Sequence, residues 1–456
     1  MLEKCLPFVY SFVSVLLLFS QENVFSQPVQ PVKVDRQSLD SLFNIYEKNS
    51  LYFASVELET DGKSVYQRQS GFQNLESRQK IDGHTVFLIG SITKTYTAVM
   101  IMQLIEEGRL KLSDKLSMFY PQIPNSDAIT VEMLLRHRSG LFNYTSADDF
   151  LKEVSSPISK NDLLARFIKY GIRSAPDEKY EYCNTNYMLL GFIIEDITQK
   201  DYGDQLRKRI LSKLSLKSTY YGRPKDTTHL GHSYTRMNNE WKPVTPEWDA
   251  SWVGGAGAIA ATLKDVQAFF KGLFGGKLVA DTSLRKMMQL KDGYGLGLAY
   301  IPYGEKRFYG HGGRIEAFNT LCAYRPEDHL MIAMASNGAF SDPNDISIQL
   351  LNASYGNKIQ YPDLNRKGAV NVSAEILKNY EGEYSAEGFP LVLRVFTENS
   401  QLFCQATGQA AFPLTAHSDK LFVFDPAGIR MEFYTTEGRQ GIHFKQATLS
   451  IDFHRK

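Results

Sequence analysis

The sequence predicts an α/β sandwich, an antiparallel sheet flanked by helices, followed by a separate small antiparallel β-barrel. Three observations predict it. Short strand-like runs stand at both ends of residues 36–360, with a mostly helical pattern between them. A polar, turn-rich linker, residues 361–372, interrupts that pattern. In residues 373–456, short alternating runs then recur at near-even spacing.

The chain has 456 residues, 43% of them hydrophobic, enough for a large core and more than one domain. Its formal net charge is +1, with no basic stripe and no long like-charge run, so nucleic acid is not an expected partner. Residues 1–26 read as an export signal. Lys4 supplies the positive start, Phe8 to Phe19 a short apolar core, and Val24-Phe25-Ser26 a cut leaving Gln27 as the mature start. The mature chain is therefore expected to be exported, periplasmic or secreted. Cys5 precedes the apolar core, which speaks against lipid attachment, and no later segment approaches the roughly 18 apolar residues of a membrane span. Cys183, Cys322 and Cys404 remain after cleavage, too few for a disulfide framework, and free thiols are expected. With no Cys-x-x-Cys or His-x-x-x-His spacing beside them, no metal is implied, and no organic cofactor.

Along the chain, residues 27–35 read as an extended leader and 38–48 as a helix. Strands at 51–58 and 64–72 flank the Asp61-Gly62 turn as a hairpin. Residues 86–187 read as mostly helical. Three more strands follow, at 296–301, 320–324 and 330–336, with Gly310, Gly312 and Gly313 among the turn residues separating them, and a helix at 345–353 closes the unit. The sheet is expected to pair the start of this unit with its end. Past the linker, strands at 380–384, 391–396, 401–406, 412–417, 421–424, 430–434 and 442–446 make the barrel. It carries no evident catalytic cluster, and a structural or oligomerisation role is favoured over covering the site.

The most informative stretch is Ser91-Ile92-Thr93-Lys94, where the apolar Val86 to Gly90 gives way to a helix apolar almost all round, stopping at Gly108. Residues i and i+3 share a helix face, so the Ser91 hydroxyl comes within reach of the Lys94 amine. Burial in such a helix lowers an ammonium's pKa, which fits a lysine acting as a base. The pattern alone is weak, because Ser77/Lys80 and Ser283/Lys286 repeat it in segments that read as solvated surface. Two further boxes follow in order, Tyr182-Cys183-Asn184 and His311-Gly312-Gly313. Chance copies stand at Tyr355-Gly356-Asn357 and His229-Leu230-Gly231.

Taken together the three boxes resemble the β-lactamase-related serine hydrolases: class C β-lactamases, penicillin-binding DD-peptidases, D-aminopeptidases and related esterases. These share Ser-x-x-Lys, Tyr-x-Asn and (Lys/His)-x-Gly boxes. Residues 107–114, 134–141, 184–191 and 254–262 resemble the family too, so the likeness covers about 40–350. It implies a β-lactamase-like sandwich and an acyl-enzyme mechanism. By that resemblance Ser91 is the nucleophile and Lys94 its base. Tyr182 shuttles the proton to the leaving group, a role needing a depressed pKa or concerted transfer beside Lys94. Asn184 orients Lys94 and the substrate amide. The backbone N–H groups of Ser91 and Arg314 form an oxyanion hole, each donor being worth about 3 kcal/mol in the transition state. Gly312 and Gly313 let a substrate approach the strand closely.

The third box departs from the lysine of the β-lactamases. His311 is largely neutral near pH 7, leaving Arg314 as a substitute cation unless its side chain points into solvent. The expected substrate is a small molecule or short peptide, with D-amino-acid peptides ahead of esters and both ahead of β-lactams. A catalytically inactive scaffold is the reading from another class. Cys183 is expected to be a packed thiol, and Tyr144, Trp248, Trp252 and Asn319 are weaker cleft-lining candidates. The oligomeric state stays open.

Overall fold

A computed structural model describes residues 32–456 except 238–239, 341–343, 363–369, 371, 388–391, 399–400, 407–410, 425–428, 437 and 447–448. The expected export signal lies outside the described residues, as does most of the expected linker. No helix among the described residues is long and apolar enough to cross a membrane.

The main sheet is antiparallel along its path, in the order Ala299–Tyr303, Lys306–Ile315, Phe318–Arg325, Leu330–Ala339, Tyr52–Thr60 and Lys63–Ser70. The first long strand of the chain thus lies beside the last one of the unit, with Val56 opposite Met334 and Leu58 opposite Ile332. Alternation sends Val56, Leu58, Ile332 and Met334 to one face, where they pack on the Arg36–Lys48 and Asn344–Ser354 helices. The opposite face, through Met331, Ala333 and Ala335, meets the larger core, and burial on both faces makes the Leu330–Ala339 strand almost wholly apolar or small. The Asp35 side chain caps the first helix by accepting from Ser38 N.

Two short elements carry the site. Val86–Leu88 pairs with Ile259–Thr262, which pairs in turn with Thr219–Tyr221. That small sheet feeds the Thr93–Glu106 helix, of which every residue from Thr93 to Leu104 is buried. A helix apolar all round must sit inside the domain, and this one does.

Two sequence expectations need correction, and one element was not foreseen. Gly310, Gly312 and Gly313 lie within the Lys306–Ile315 strand rather than in a turn. They read as turn residues because glycine usually marks one, but here the strand is pressed against its neighbours. A Cβ at Gly310 would overlap Cys322 O, and one at Gly313 would overlap Ile89 O. Residues 86–187 hold one long buried helix, the amphipathic Lys160–Tyr170, short helical turns and extended loops, rather than mostly helix. A Tyr234–Met237/Glu240–Pro243 hairpin, not anticipated, adds to the main sheet.

Among the described residues the C-terminal sheet has nine strands, and its two end strands, Phe412–Pro413 and Thr415–Ala416, are separated only by Leu414, so the barrel is nearly closed. Its core includes Tyr384, Val395, Leu402, Phe422, Met431, Phe433, Ile442 and Phe453. Sequence periodicity missed the last strand, Leu449–Arg455, and the short Ala374–Asn379 helix, and it read the two end strands as one.

Candidate active site

Ser91 stands at the joint between strand and helix. Ile89 N donates to Ile259 O at 2.9 Å, the chain turns at Gly90 with φ +50, and a 3-10 turn over Gly90–Ile92 presents a half-buried Ser91. The turn must be glycine, because a Cβ at Gly90 would sit 2.8 Å from Arg314 N. That closeness puts the Arg314 main chain beside the Ser91 turn.

Lys94, one helical turn on, is fully buried. Its Nζ lies 2.9 Å from Ser91 Oγ, 2.7 Å from Asn184 Oδ1 and 2.8 Å from Ala256 O. No carboxylate is among these partners. Burial holds the ammonium well below its usual pKa. Two of the three partners can only accept, and the Ser91 hydroxyl can accept or donate, so the contacts serve an ammonium and an amine alike. In the neutral form that burial favours, –NH2 gives its two hydrogens to Asn184 and Ala256 and turns its lone pair to the Ser91 proton.

The second box closes the other wall. Tyr182 and Cys183 end a loop, and Asn184 begins the Asn184–Thr198 helix. Asn184 N donates to Asn143 Oδ1 at 2.9 Å, and Asn184 Nδ2 donates to Thr145 Oγ1 at 2.9 Å, which fixes the amide with its oxygen toward Lys94. Lys94 Nζ lies 4.8 Å from the Tyr182 ring centroid. Burial raises the Tyr182 phenol's pKa, against a smaller lowering by its hydrogen bond with Ser91. Of the two routes foreseen for that phenol, burial works against a depressed pKa and in favour of concerted transfer. Cys183 is a buried free thiol, as are Cys322 and Cys404, and burial pushes Cys183 up to about 11.

The third box lies on the Lys306–Ile315 strand. Alternation puts His311 and Gly313 on one face of the strand and Gly312 and Arg314 on the other, and all four border the cavity at its edge. His311 Nδ1 lies 2.5 Å from Gly312 O, which can only accept, so Nδ1 carries a proton; Nε2 lies 3.0 Å from Tyr294 OH and accepts from it in the neutral imidazole that burial favours. Burial first, and proximity to Lys94 whenever that amine carries a proton, lower its pKa to about 3. The Arg314 side chain is exposed, its Nε donating to Asn319 Oδ1 at 2.7 Å, so it is no buried replacement for the third-box lysine. Gly313→Ala is expected to force the strand off Ile89, destabilising the protein by about 1–3 kcal/mol and cutting turnover. Urea melts and rate assays on the one variant check both.

A cavity of about 370 Å³ opens over these groups, lined by Ser91, Tyr182, His311, Gly313, Arg314 and Asn319 among others. The structure thus brings Ser91, Lys94, Tyr182, Asn184, His311 and Gly313 together, with the Arg314 main chain beside them. Of the weaker candidates Asn319 lines the cavity, whereas Tyr144 and Trp252 are core residues joined by a Tyr144 OH to Trp252 O hydrogen bond. Ser77 and Lys80 are exposed as expected, but Ser283 is buried, with Lys286 in solvent. Sequence reading missed Asn143, Thr145, His137 and Tyr294. The one available signal was His137 between two arginines inside an otherwise apolar segment. Among the described residues no group of three or more His, Cys, Asp or Glu could hold a metal ion.

A serine and a buried lysine on the first turn of a central helix, faced by Tyr-x-Asn and by a glycine-rich strand, define a class of serine hydrolase. The sequence model of the Beta-lactamase family matches residues 54–356, and the protein belongs to that family. It is a serine hydrolase of the acyl-enzyme kind. PbpX of Bacillus subtilis (strain 168), named as a penicillin-binding protein, is 26% identical over 324 residues, 67% of this chain and 77% of PbpX. Teichoic acid D-alanine hydrolase of Staphylococcus aureus (strain MRSA252) is 29% identical over 249 residues, which is 54% of this chain and 58% of that protein. Among solved structures, the octameric penicillin-binding protein homologue from Pyrococcus abyssi matches 92% of this chain and 99% of its own, with TM-score 0.65 and 23% identity. D-amino acid amidase from Ochrobactrum anthropi SV3 matches 69% of this chain and 98% of its own, with TM-score 0.59 and 24% identity.

Proposed function

We propose that the protein is an exported hydrolase that cleaves an amide or ester bond through a Ser91 acyl-enzyme, acting on D-amino-acid peptides or amides. The observation that carries the reading is the contact set of Lys94, whose buried Nζ meets two pure acceptors and the Ser91 hydroxyl. In acylation the Lys94 lone pair takes the Ser91 proton as Oγ bonds to the substrate carbonyl carbon. The oxyanion is held by Ser91 N–H and Arg314 N–H. As the C–N bond breaks, Tyr182 gives its phenolic proton to the leaving nitrogen and regains one from Lys94, a concerted step that avoids a free phenolate. Water then attacks the acyl group, passing its proton to the Lys94–Tyr182 pair, and Ser91 leaves as the restored hydroxyl.

Two observations support the substrate class. Relatives named for D-alanine and D-amino acid hydrolysis share the fold, and the third box presents a neutral imidazole to the cleft where a β-lactamase has a lysine. The same neutral imidazole favours ester hydrolysis as the second reading, with β-lactams third. The reading is tested by kcat/KM for D-alanine p-nitroanilide, its L enantiomer, a short p-nitrophenyl ester and a chromogenic cephalosporin. The expected result is a preference of about tenfold or more for the D over the L anilide, and little cephalosporin turnover. Equal rates on the two enantiomers, with the ester faster than chemical reactivity explains, would leave the esterase reading standing instead.

A further inference from the structure

His137 lies in the Arg136-His137-Arg138 run and holds Tyr182 from three directions. The two backbone N–H groups that flank Tyr182 both end on this residue. Glu181 N donates to His137 O at 2.9 Å, and Cys183 N donates to His137 Nδ1 at 3.1 Å. The imidazole also lies against the Tyr182 ring, with centroids 4.3 Å apart. His137 is 1% exposed and sits at φ +56, a left-handed backbone uncommon outside glycine, although His is among the residues that adopt it more often than most. Because Nδ1 accepts, the proton is on Nε2, which has no hydrogen-bond partner although the ring lies among Tyr180, Tyr187 and Tyr294. A buried histidine with one ring nitrogen left without a hydrogen-bond partner is costly, and such a cost is retained where the surroundings and the function require it.

The flanking arginines keep it in place. Arg136 Nη1 donates to Gln289 O at 2.7 Å, Arg138 pairs with Asp177 and Asp292, and Asp177 N donates to Arg138 O at 2.8 Å. His137 therefore rides on a segment anchored to Asp177, ahead of the second box, and to Gln289 and Asp292, ahead of the Ala299–Tyr303 strand.

We infer that His137 is a positioning residue for Tyr182, aiming the phenol along the proton path to the leaving group through its Nδ1 acceptor and its ring. The inference rests on the reading of Tyr182 as the proton donor to the leaving nitrogen. An amide cannot expel its amine without that proton, whereas a p-nitrophenyl ester expels a stable phenolate without it, so the two substrates report the role separately.

The test compares kcat/KM for the anilide and the ester in wild type, Tyr182→Phe, His137→Ala, His137→Asn and the double variant Tyr182→Phe/His137→Ala. Tyr182→Phe tests the underlying reading, and equal losses on both substrates there sink it. Given a selective loss there, His137→Ala is expected to lower the anilide rate about tenfold or more and the ester rate less than about threefold, with no further anilide loss in the double variant. His137→Asn places Oδ1 near the Nδ1 position and tolerates the left-handed backbone, so it is expected to recover most of the anilide rate. Equal losses on anilide and ester in His137→Ala, additive losses in the double variant, or an asparagine variant no better than alanine would each overturn the inference. If His137→Ala does not fold, His137→Leu, which fills the space without an acceptor, takes its place. A selective anilide loss there that His137→Asn recovers supports the role, and equal losses on both substrates or no loss at all rejects it.

Discussion

Replacing Ser91 with alanine is expected to abolish covalent labelling by a fluorophosphonate and to lower kcat/KM on amides and esters by about 10⁴-fold or more. The size follows from what is removed. Oγ is the atom that bonds to the substrate, and it is the hydroxyl oxygen that lies 2.9 Å from Lys94 Nζ. Neither other Ser-x-x-Lys pair can substitute, since Ser77 is exposed and Ser283 is buried with its lysine in solvent. The turn itself should survive, because Gly90 and the hydrogen bond from Ile89 N to Ile259 O fix it without the hydroxyl. Mass spectrometry of the labelled chain checks the site. Wild type that takes up no label would favour a scaffold with an unused serine, and label persisting in Ser91→Ala would place the nucleophile elsewhere.

The sequence carried the site better than it carried the architecture around it. Ser91, Lys94, Tyr182, Asn184, His311 and Gly313 were legible because their chemistry needs fixed residue types in a fixed order, and fixed order is visible in a single chain. The pairing of the first strand with the last was legible too, since period-two runs at both ends of one unit have few other ways to bury an apolar face. The strand character of Gly310 to Gly313 was hidden, because the close approach of Cys322 O and Ile89 O that requires glycine is a tertiary fact. His137 and Tyr294 were hidden for a related reason. Their roles depend on which nitrogen accepts from which distant group, Cys183 N in one case and Tyr294 OH against His311 in the other. The direction of the Arg314 side chain followed only once its strand was fixed, because the face a residue takes depends on register.

Lys94→Met is expected to slow acylation by about 10²–10⁴-fold while leaving the fold intact, since methionine fills most of the same buried volume without the amine. Its pH behaviour separates a lost base from a disturbed pocket. In wild type, burial holds the lysine well below its usual pKa, so kcat/KM should already be high at neutral pH and fall as acid protonates the amine. That acidic limb should vanish in the variant. His311, held down to about 3, should add no limb near the ordinary histidine range, so an inflection there in both proteins would contradict the neutral imidazole of the third box. Stability gives an independent reading. An unfolded lysine titrates near 10.4, above the folded group, so the unfolded state binds the extra proton across the interval between the two values. The penalty for burying this amine is absent above the unfolded pKa and grows as pH falls through the interval. Wild type should therefore gain stability relative to Lys94→Met as pH rises from 7 toward 10, by at most about 1.4 kcal/mol per pH unit. Urea melts of both proteins across that range measure the difference. A gap that stays constant would mean that Lys94 keeps its proton on folding, and with it the loss of the proposed base.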